Sequence, residues 1–221
     1  MFDRLVGGPR GKGDPFQVVR DFEQALCDYT GAPYCVTTTS CTMALLLALA
    51  YHMGRHRALD FPPGVRPTVE IPKRTYVSVP MSIIHAGGRP TFRDEEWSGS
   101  YQLKPLPVWD CARWLTADMY LAPGQMMCLS FHWSKTLGIQ QGGAILHDDP
   151  EADQWLRRAR FDGRTEGVSP QNDRFDMIGW HAYLSPELAA EGLIRLHFLP
   201  RHNEPLPCDD YPDLSAMEIF K

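Results

Sequence analysis

Apolar residues recur at the spacing of an α-helix in several segments of the sequence. After Asp14 and Pro15, which suit a helix N-terminus, the apolar positions are Val18, Val19, Phe22, Ala25, Leu26 and Tyr29. Gly31 is expected to end this helix. Similar patterns predict helices over residues 43–52, 77–86 and 150–160, and a last helix that Ser185 opens.

Short runs of β-forming residues lie between these helices. They predict strands over residues 34–38, 68–72, 90–93, 107–110, 126–131 and 142–147, whereas residues 95–105 are polar and are expected to be irregular. Strands that alternate with helices are typical of an α/β fold with a mostly parallel sheet. In such sheets ligands bind at the carboxyl ends of the strands.

Three groups of polar residues fall at the ends of predicted strands. Residues 39–42 precede an apolar helix, Asp110 closes the strand PVWD, and Lys135 lies in SFHWSKTLG after strand 126–131. Each has an ordinary interpretation, namely a capping turn, a helix cap and a solvated surface lysine. Their shared position at strand ends makes the combination more specific than any one part, and it predicts a ligand site.

The composition narrows the class of protein. A chain of 221 residues, 43% of them hydrophobic, suffices for one sizeable core. The net charge of -5, without a long basic run, argues against nucleic-acid binding. Residues 43–51 form the longest apolar run, which is too short to cross a bilayer, and the N-terminus lacks the apolar segment of a signal peptide. We therefore expect a cytoplasmic protein with neither a membrane nor a nucleic-acid partner.

The cysteines do not form a recognisable ligand or disulfide pattern. None has CxxC spacing, and most lie in apolar runs: Cys27, Cys35, Cys41, Cys111, Cys128 and Cys208. They are expected to be buried thiols in a reducing compartment rather than disulfides or zinc ligands. No metal site is predicted.

The sequence resembles the DegT/StrS-type sugar aminotransferases, a family that uses pyridoxal 5'-phosphate (PLP) and has the aspartate-aminotransferase fold. The segments that carry the resemblance include TTTSCTMALLLAL, IPKRTYVSVPMSIIHAGGRPTFRD, VWDCARW, CLSFHWSKTLGIQQGGAILHDD and GWHAYLSPELAAEGLIRL. It extends from about Phe22 to about Leu199, and it is most specific around Lys135. PLP enzymes need a lysine, a carboxylate that faces the pyridine nitrogen, and hydroxyl and N–H groups for the phosphate.

The resemblance implies a role for each matching residue. Lys135 would form the Schiff base with PLP and shuttle a proton, and Asp110 would keep the pyridine nitrogen protonated. Tyr76 would stack on the cofactor ring, with ordinary core packing as the alternative interpretation. The phosphate would be bound by Ser130, Cys41 and Thr42.

Three residues depart from the family pattern. Arg113 stands where the family has a glutamine near the ring oxygen of the cofactor; its guanidinium would still donate hydrogen bonds to the cofactor there, and its added charge would bear on substrate choice. His181 replaces an asparagine that reaches the phosphate across the dimer interface; it either takes over that contact or is an ordinary surface residue. Cys41 replaces a glycine, so the phosphate turn is expected to differ in shape.

The resemblance also implies the architecture. We expect a three-layer α/β/α fold that corresponds to a reduced PLP-transferase large domain and lacks the small C-terminal domain of the family. Residues 1–200 would form the PLP-binding domain and residues 201–221 an irregular C-terminal tail. Residues 95–109 bridge a stretch in which the family has a further βα unit.

Two functions from different classes are compatible with these features. The first is a PLP-dependent aminotransferase that moves an amino group from an amino acid, with glutamate as the expected donor, to a keto-sugar, expected to be nucleotide-linked. The second is an accessory or binding protein of the same fold with impaired catalysis, which the missing small domain, Arg113 and His181 favour. Retention of both Lys135 and Asp110 favours the enzyme, and a homodimer is expected.

Overall fold

The computed structural model describes residues 13–55, 66–208 and 211–221, so most of the N-terminal stretch assessed for a signal peptide lies outside the described residues. The helices in this part of the chain are α1 (Gln17–Thr30), α2 (Cys41–Arg55), α3 (Ser78–His85), α4 (Pro150–Ala159) and α5 (Pro186–Phe198). The strands are β1 (Tyr34–Thr38), β2 (Thr68–Pro72), β3 (Arg89–Arg93), β4 (Tyr101–Leu103), β5 (Val108–Asp110), β6 (Met126–Ser130) and β7 (Gly143–His147). Each predicted helix and strand is present, with small shifts at its ends.

Helix α1 begins slightly later than the sequence signals predict. Oδ1 of Asp14 accepts a hydrogen bond from the backbone N–H of Phe16 at 2.9 Å, so Asp14 and Pro15 form the turn before the helix. The predicted C-terminus is confirmed, because Gly31 adopts φ 80° and its N–H donates to the carbonyl of Cys27. Such left-handed closure favours glycine.

The strands form a mixed sheet. β1, β7, β6, β5 and β4 are hydrogen-bonded in that order, and β2 pairs in parallel with β3. Glu70 of β2 and Lys104, directly after β4, exchange backbone hydrogen bonds of 2.8 and 3.0 Å, and this bridge joins the two sets of strands. Among the described strands, β4 and β7 run against the shared direction of the other five. The α/β class is therefore confirmed, but the sheet is mixed rather than mostly parallel, because β4 and β7 pair antiparallel with their neighbours.

Strand β4 corrects the expectation that residues 95–105 are irregular. Tyr101, Gln102 and Leu103 pair antiparallel with Asp110, Trp109 and Val108 of β5. Tyr101 and Leu103 are buried, while Gln102 between them is partly exposed, which is the alternation of a half-buried strand. The short segment between β3 and β5 therefore contains a strand, β4, which lies between β5 and β2 in the sheet.

Helices cover both faces of the sheet and give the expected three layers. On one face α2, α3 and α4 pack on Val36, Cys128 and Ile145. On the other face α1 and α5 pack on Cys35, Leu129 and Ala144, which are the neighbours of those residues along the same strands. All six cysteines are free thiols; four are buried as expected, whereas Cys27 and Cys208 are half-buried.

A buried ionic network fastens two helices to the strand that leads into the site. Glu23 of α1 forms ion pairs with Arg157 of α4 at 2.7 Å and with Arg160 after α4, and the side chains of Glu23 and Arg160 are only 3% and 1% exposed. The N–H and hydroxyl of Thr37 in β1 donate to Glu23 at 2.9 and 2.8 Å. Burial raises the pKa of Glu23, but the guanidinium groups of Arg160 and Arg157 outweigh it and hold the pKa below its ordinary value.

The C-terminal residues pack against the sheet beside the site. Residues Leu214–Ala216 and Glu218–Phe220 are short 3-10 helices, and Leu214 and Phe220 are buried. The N–H of Leu214 donates to the carbonyl of Lys73 at 2.8 Å, and Nζ of Lys73 lies 3.6 Å from a carboxylate oxygen of Asp213. This segment is therefore anchored just beyond the carboxyl end of β2.

Candidate active site

A pocket of about 350 Å³ lies at the carboxyl ends of β1, β2, β5 and β6. This is the edge at which α/β sheets bind ligands, and the volume is within the usual range for small-molecule sites. The pocket is lined by Ser40, Cys41, Thr42, Leu45, Thr75, Tyr76, Ser78, Val79, Trp97, Asp110, Ala112, Arg113, Ser130, His132, Ser134, Lys135 and Tyr211. Seven of the eight predicted site residues are among them.

Asp110 is held at the end of β5 by uncharged donors. Asp110 is 4% exposed. Its Oδ1 accepts a hydrogen bond from the N–H of Ala112 at 2.9 Å, and its Oδ2 accepts one from the hydroxyl of Tyr101 at 2.8 Å. Burial raises the pKa of Asp110, although these two hydrogen bonds and the charge of Lys135 oppose the shift. A carboxylate in such surroundings favours a cationic ligand group beside it.

The hydrogen bond to Asp110 continues to a third side chain. Burial and the charge of Asp110 raise the pKa of Tyr101 well above its ordinary value, so its hydroxyl remains protonated and donates to the carboxylate. Because that hydroxyl has one proton, the hydroxyl of Thr75 donates to it in turn. Sequence reasoning missed both residues, since Tyr101 lies in the segment interpreted as irregular; its alternation with Gln102 and Leu103 was the available signal.

The turn that opens α2 comes very close to β7. The first N–H groups of a helix have no partner within it, and those of α2 begin at Cys41 and Thr42 in the pocket wall. A Cβ on Gly143 would lie 2.5 Å from the backbone nitrogen of Cys41 and 2.6 Å from the carbonyl carbon of Ser40. Only a glycine at this position of β7 therefore leaves room for the turn.

The thiol of Cys41 is directed into the protein rather than toward the pocket centre. Its Sγ lies 3.6 Å from the carbonyl oxygen of Cys128 and 4.0 Å from Oδ1 of Asp110. Burial raises the pKa of this thiol well above its ordinary value. The side chain of Cys41 is therefore buried beneath the turn.

A second helix N-terminus faces the same pocket. Ser78 opens α3, and its hydroxyl lies 2.8 Å from the hydroxyl of Thr42 at the start of α2. Ser130, at the end of β6, also lines the pocket. The hydroxyls of Thr42, Ser78 and Ser130 and the first N–H groups of α2 therefore line one pocket, which is a donor set suited to a phosphate group.

Lys135 lies in the turn that follows β6. Its N–H donates to the carbonyl of His132 at 2.8 Å, and Nδ1 of His132 lies 3.0 Å from the hydroxyl of Ser134. Gly138 closes the turn at φ 61°, where a Cβ would lie 3.0 Å from the carbonyl oxygen of Trp133. The turn places Lys135 in the same pocket as Asp110.

Two predicted residues lie in the pocket wall beside the C-terminal segment. Tyr76 is 57% exposed, so the alternative of core packing is wrong for this side chain. The guanidinium of Arg113 lies 5.3 Å from the ring centroid of Tyr211, and the rings of Tyr76 and Tyr211 are 6.5 Å apart. Tyr211 and its stacking partner Trp97 were missed because no local pattern indicates that the tail returns to the pocket.

His181 does not line the pocket of its own chain. Its side chain is 70% exposed, and Nδ1 lies 3.0 Å from Oδ2 of Asp162. A β-bridge pairs His181 with Phe161, just after α4, and the carbonyl of the next residue, Ala182, accepts a hydrogen bond from the N–H of Thr39 at 2.8 Å. The expected contact of His181 with the phosphate was across a dimer interface, so it stays a prediction.

The described residues give no sign of two other kinds of site. None of the helices described is both long and apolar enough to cross a membrane. Within the same residues, no cluster of His, Cys, Asp and Glu side chains could hold a metal ion.

A family model agrees with the geometry. The model of the DegT/DnrJ/EryC1/StrS aminotransferase family matches residues 11–108 and 119–205. The match includes the turn at Cys41, the carboxyl ends of β2 and β6, and Lys135; it leaves out residues 109–118, among them Asp110 and Arg113.

Solved structures share the fold at low sequence identity. The sugar aminotransferase CalS13 from Micromonospora echinospora has a TM-score of 0.69 and 19% identity, over 90% of this chain and 64% of that protein. Helicobacter pylori PseC, an aminotransferase involved in the biosynthesis of pseudoaminic acid, has a TM-score of 0.68 and 18% identity, over 90% and 62%. Bacillus subtilis NtdA with bound cofactor PMP has a TM-score of 0.61 and 19% identity, over 82% and 48%. This chain thus spans less than two thirds of their length.

Proposed function

The chain belongs to the DegT/DnrJ/EryC1/StrS aminotransferase family, and we propose that it binds PLP in this pocket and transfers an amino group to a keto-sugar. The observation that carries the proposal is the presence of Lys135 and buried Asp110 in one pocket. A binding protein of the same fold has no physical need for this pair. The accessory function is therefore the less favoured alternative.

The residues of the pocket fit PLP. Asp110 is buried and receives hydrogen bonds from uncharged groups, so the cationic ring nitrogen would supply the charge that offsets its burial. The phosphate would be held by Ser130, Thr42 and the starts of α2 and α3. Lys135 would hold the cofactor covalently through Nζ, and Tyr76 would lie against the ring face.

When bound, PLP supplies an electron sink for the carbon that exchanges its amino group. Asp110 would keep the proton on the ring nitrogen, and Tyr101 would hold the carboxylate in place by its hydrogen bond. Nζ of Lys135 would take a proton from the reacting carbon of the substrate and deliver it to the cofactor. The turn at residues 39–42 and the α3 start would orient the cofactor by its phosphate.

The finer parts of the proposal concern substrates and assembly. Glutamate is the proposed donor and a nucleotide-linked keto-sugar the proposed acceptor, in keeping with the family resemblance; CalS13 is described as a sugar aminotransferase. We also propose a homodimer, because the side chain of His181 is exposed and does not line the pocket of its own chain, so that it would serve the pocket of a partner. The domain limits, residues 1–200 with a tail of 201–221, stay a proposal, with Tyr211 of that tail contributing to the pocket.

The absorbance spectrum tests the cofactor assignment. PLP is added to the wild type and to Lys135→Ala, with Lys104→Ala as a control that removes an exposed lysine. The expected result is a visible band in the wild type and the control but not in Lys135→Ala, and a mass increase at Lys135 after borohydride reduction. Addition of glutamate should bleach the band. A band that does not depend on Lys135 contradicts the proposal.

A further inference from the structure

Thr75, Tyr101 and Asp110 form a chain of hydrogen bonds that ends at the pocket. The hydroxyl of Thr75 is hydrogen-bonded to that of Tyr101, which lies 2.8 Å from Oδ2 of Asp110. All three residues are buried. Thr75 and Asp110 line the pocket, whereas Tyr101 is not among the described residues that do so. Tyr101 therefore acts on a ligand through its neighbours rather than by contact.

The fold fixes the orientation of Tyr101 before any ligand binds. Tyr101 pairs directly with Asp110 in the antiparallel β4–β5 ladder, so the two side chains project from the same face of the sheet. The rings of Trp97 and Tyr101 pack edge to face with their centroids 4.6 Å apart. Nε1 of Trp97 in turn donates to the carbonyl of Arg74 at 2.8 Å. Backbone register and side-chain packing together thus direct the hydroxyl of Tyr101 at the carboxylate.

The direction of the chain follows from what each group can donate. The carboxylate of Asp110 accepts the one proton of the Tyr101 hydroxyl, and Tyr101 accepts a hydrogen bond from Thr75. A hydroxyl that accepts a hydrogen bond is polarised and donates more strongly. Both bonds of the chain therefore stabilise the ionised form of Asp110.

The surroundings of Asp110 oppose this stabilisation. Burial raises the pKa of Asp110, whereas the hydrogen bonds from Ala112 and Tyr101 and the charge of Lys135 lower it. Burial also raises the pKa of the neighbouring thiols well above the ordinary value, so they are uncharged: Cys41, Cys111 and Cys128. In a contact between a carboxylate and a pyridine nitrogen, the proton lies on the group with the higher pKa. Loss of a donor to the carboxylate therefore moves the proton toward Asp110.

On this basis we infer that the hydroxyl of Tyr101, supported by that of Thr75, keeps the proton of the Asp110–cofactor contact on the ring nitrogen. The inference rests on the proposed function, and it adds two positioning residues to the same site. The protonated ring is the form that acts as an electron sink. Tyr101 lies in residues 95–109, where this chain departs from the family pattern, so this control of the proton comes from its own strand β4.

Nitrogen NMR with PLP labelled with nitrogen-15 in the ring tests the inference, because the signal of a protonated pyridine lies far upfield of that of the neutral ring. Labelled PLP is added to the wild type, Tyr101→Phe, Thr75→Val and Thr75→Ser. Tyr120→Phe is the matched control, since the hydroxyl of Tyr120 donates to the carbonyl of Gln125 at 2.9 Å outside the pocket. Cofactor binding is followed by the visible band that depends on Lys135, and folding by the unfolding midpoint.

The signal should lie at the protonated position in the wild type and in Tyr120→Phe, and should move toward the neutral position in Tyr101→Phe. Thr75→Val should move it in the same direction by less, whereas Thr75→Ser keeps the hydroxyl and should retain the wild-type signal. The rate at which glutamate bleaches the band should fall by about ten- to a hundredfold in Tyr101→Phe, the range for a hydrogen bond to a charged group.

An unchanged signal in Tyr101→Phe or in Thr75→Val would overturn the inference and leave the cofactor assignment in place. A neutral signal in the wild type, or an equal displacement in Tyr120→Phe, would do the same. If Tyr101→Phe does not fold, the comparison of Thr75→Val with Thr75→Ser decides. A wild type without the band that depends on Lys135 would instead refute the proposed function, and the inference with it.

Discussion

Tyr101 donates a hydrogen bond of 2.8 Å to Asp110, and the two residues are direct partners in the β4–β5 ladder. Replacement of Tyr101 by Phe removes this donor and leaves the hydroxyl of Thr75 without its acceptor. We expect the free energy of unfolding to fall by about 1–3 kcal/mol, because buried polar groups lose a partner. Urea unfolding measures this, with Tyr183→Phe as the control. An equal change in both variants would contradict the role of the Tyr101 hydroxyl.

Replacement of Asp110 by Asn tests the contribution of the carboxylate charge to the proposed reaction. The amide has nearly the same size but cannot keep a proton on the ring nitrogen. The rate at which glutamate bleaches the visible band should fall by about 100- to 1,000-fold, the range for loss of one preorganised electrostatic contact. Stopped-flow absorbance measures the rate. A rate equal to that of the wild type would remove Asp110 from the mechanism.

Gly143→Ala probes the close approach of β7 to the turn at Cys41. The added Cβ would lie 2.5 Å from a backbone nitrogen that cannot move without displacing the start of α2. We expect weaker PLP binding and a loss of about 1–3 kcal/mol in the free energy of unfolding, as for overpacking of a core. Gly54→Ala is the control, since a Cβ there meets nothing within 4 Å. Similar PLP affinity in both variants would refute this prediction.

Glu23→Gln should be strongly destabilising. It leaves the guanidinium of Arg160 buried without its carboxylate and weakens the pairing of Arg157. Loss of one partner from such a buried pair costs about 3–5 kcal/mol. The control is Glu191→Gln, which breaks a more exposed ion pair with Arg195 and should cost less than about 1 kcal/mol. Equal unfolding midpoints for the two variants would show that the network contributes little.

The same network predicts how stability depends on pH. The pKa of Glu23 in the folded protein is lowered from its ordinary value of 4.5, so the unfolded chain takes up the proton first. The stabilisation is therefore present above pH 4.5 and is lost as the pH falls through the lower pKa of the folded state. Urea unfolding between pH 7 and pH 3 should show this decline in the wild type. Stability that rises over this interval would contradict the assigned direction.

The predicted site residues that the structure brings into one pocket share a local signature. Asp110, Ser130 and Lys135 lie at or just after the ends of apolar strands, and strand direction alone brings such ends to one edge of a sheet. Sequence order and burial therefore sufficed to group them. Helices α1 and α5 were also predicted from a local pattern, because their apolar positions recur at helical spacing.

The missed features depend on contacts between distant parts of the chain. Strand β4 exists because Tyr101 and Leu103 pair with β5 and are buried, whereas the local composition is polar. Tyr211 reaches the pocket because the N–H of Leu214 is hydrogen-bonded to the carbonyl of Lys73, and no local sequence pattern predicts this contact. Local propensity cannot report such pairings, since tertiary packing overrides it.

The bridge between Glu70 and Lys104 is a weaker connection than the other strand pairings of the sheet. Within the described residues, the backbone hydrogen bonds that join the β2–β3 pair to the other strands are the two of this bridge. Strands β1, β7 and β6, by contrast, are joined by full ladders. Thr75, Tyr76 and Ser78 belong to the chain that leaves β2, whereas Asp110, Ser130 and Lys135 belong to the other side. The pocket thus straddles the seam where the sheet is least reinforced. A displacement of one set of strands against the other would therefore change the width of the pocket.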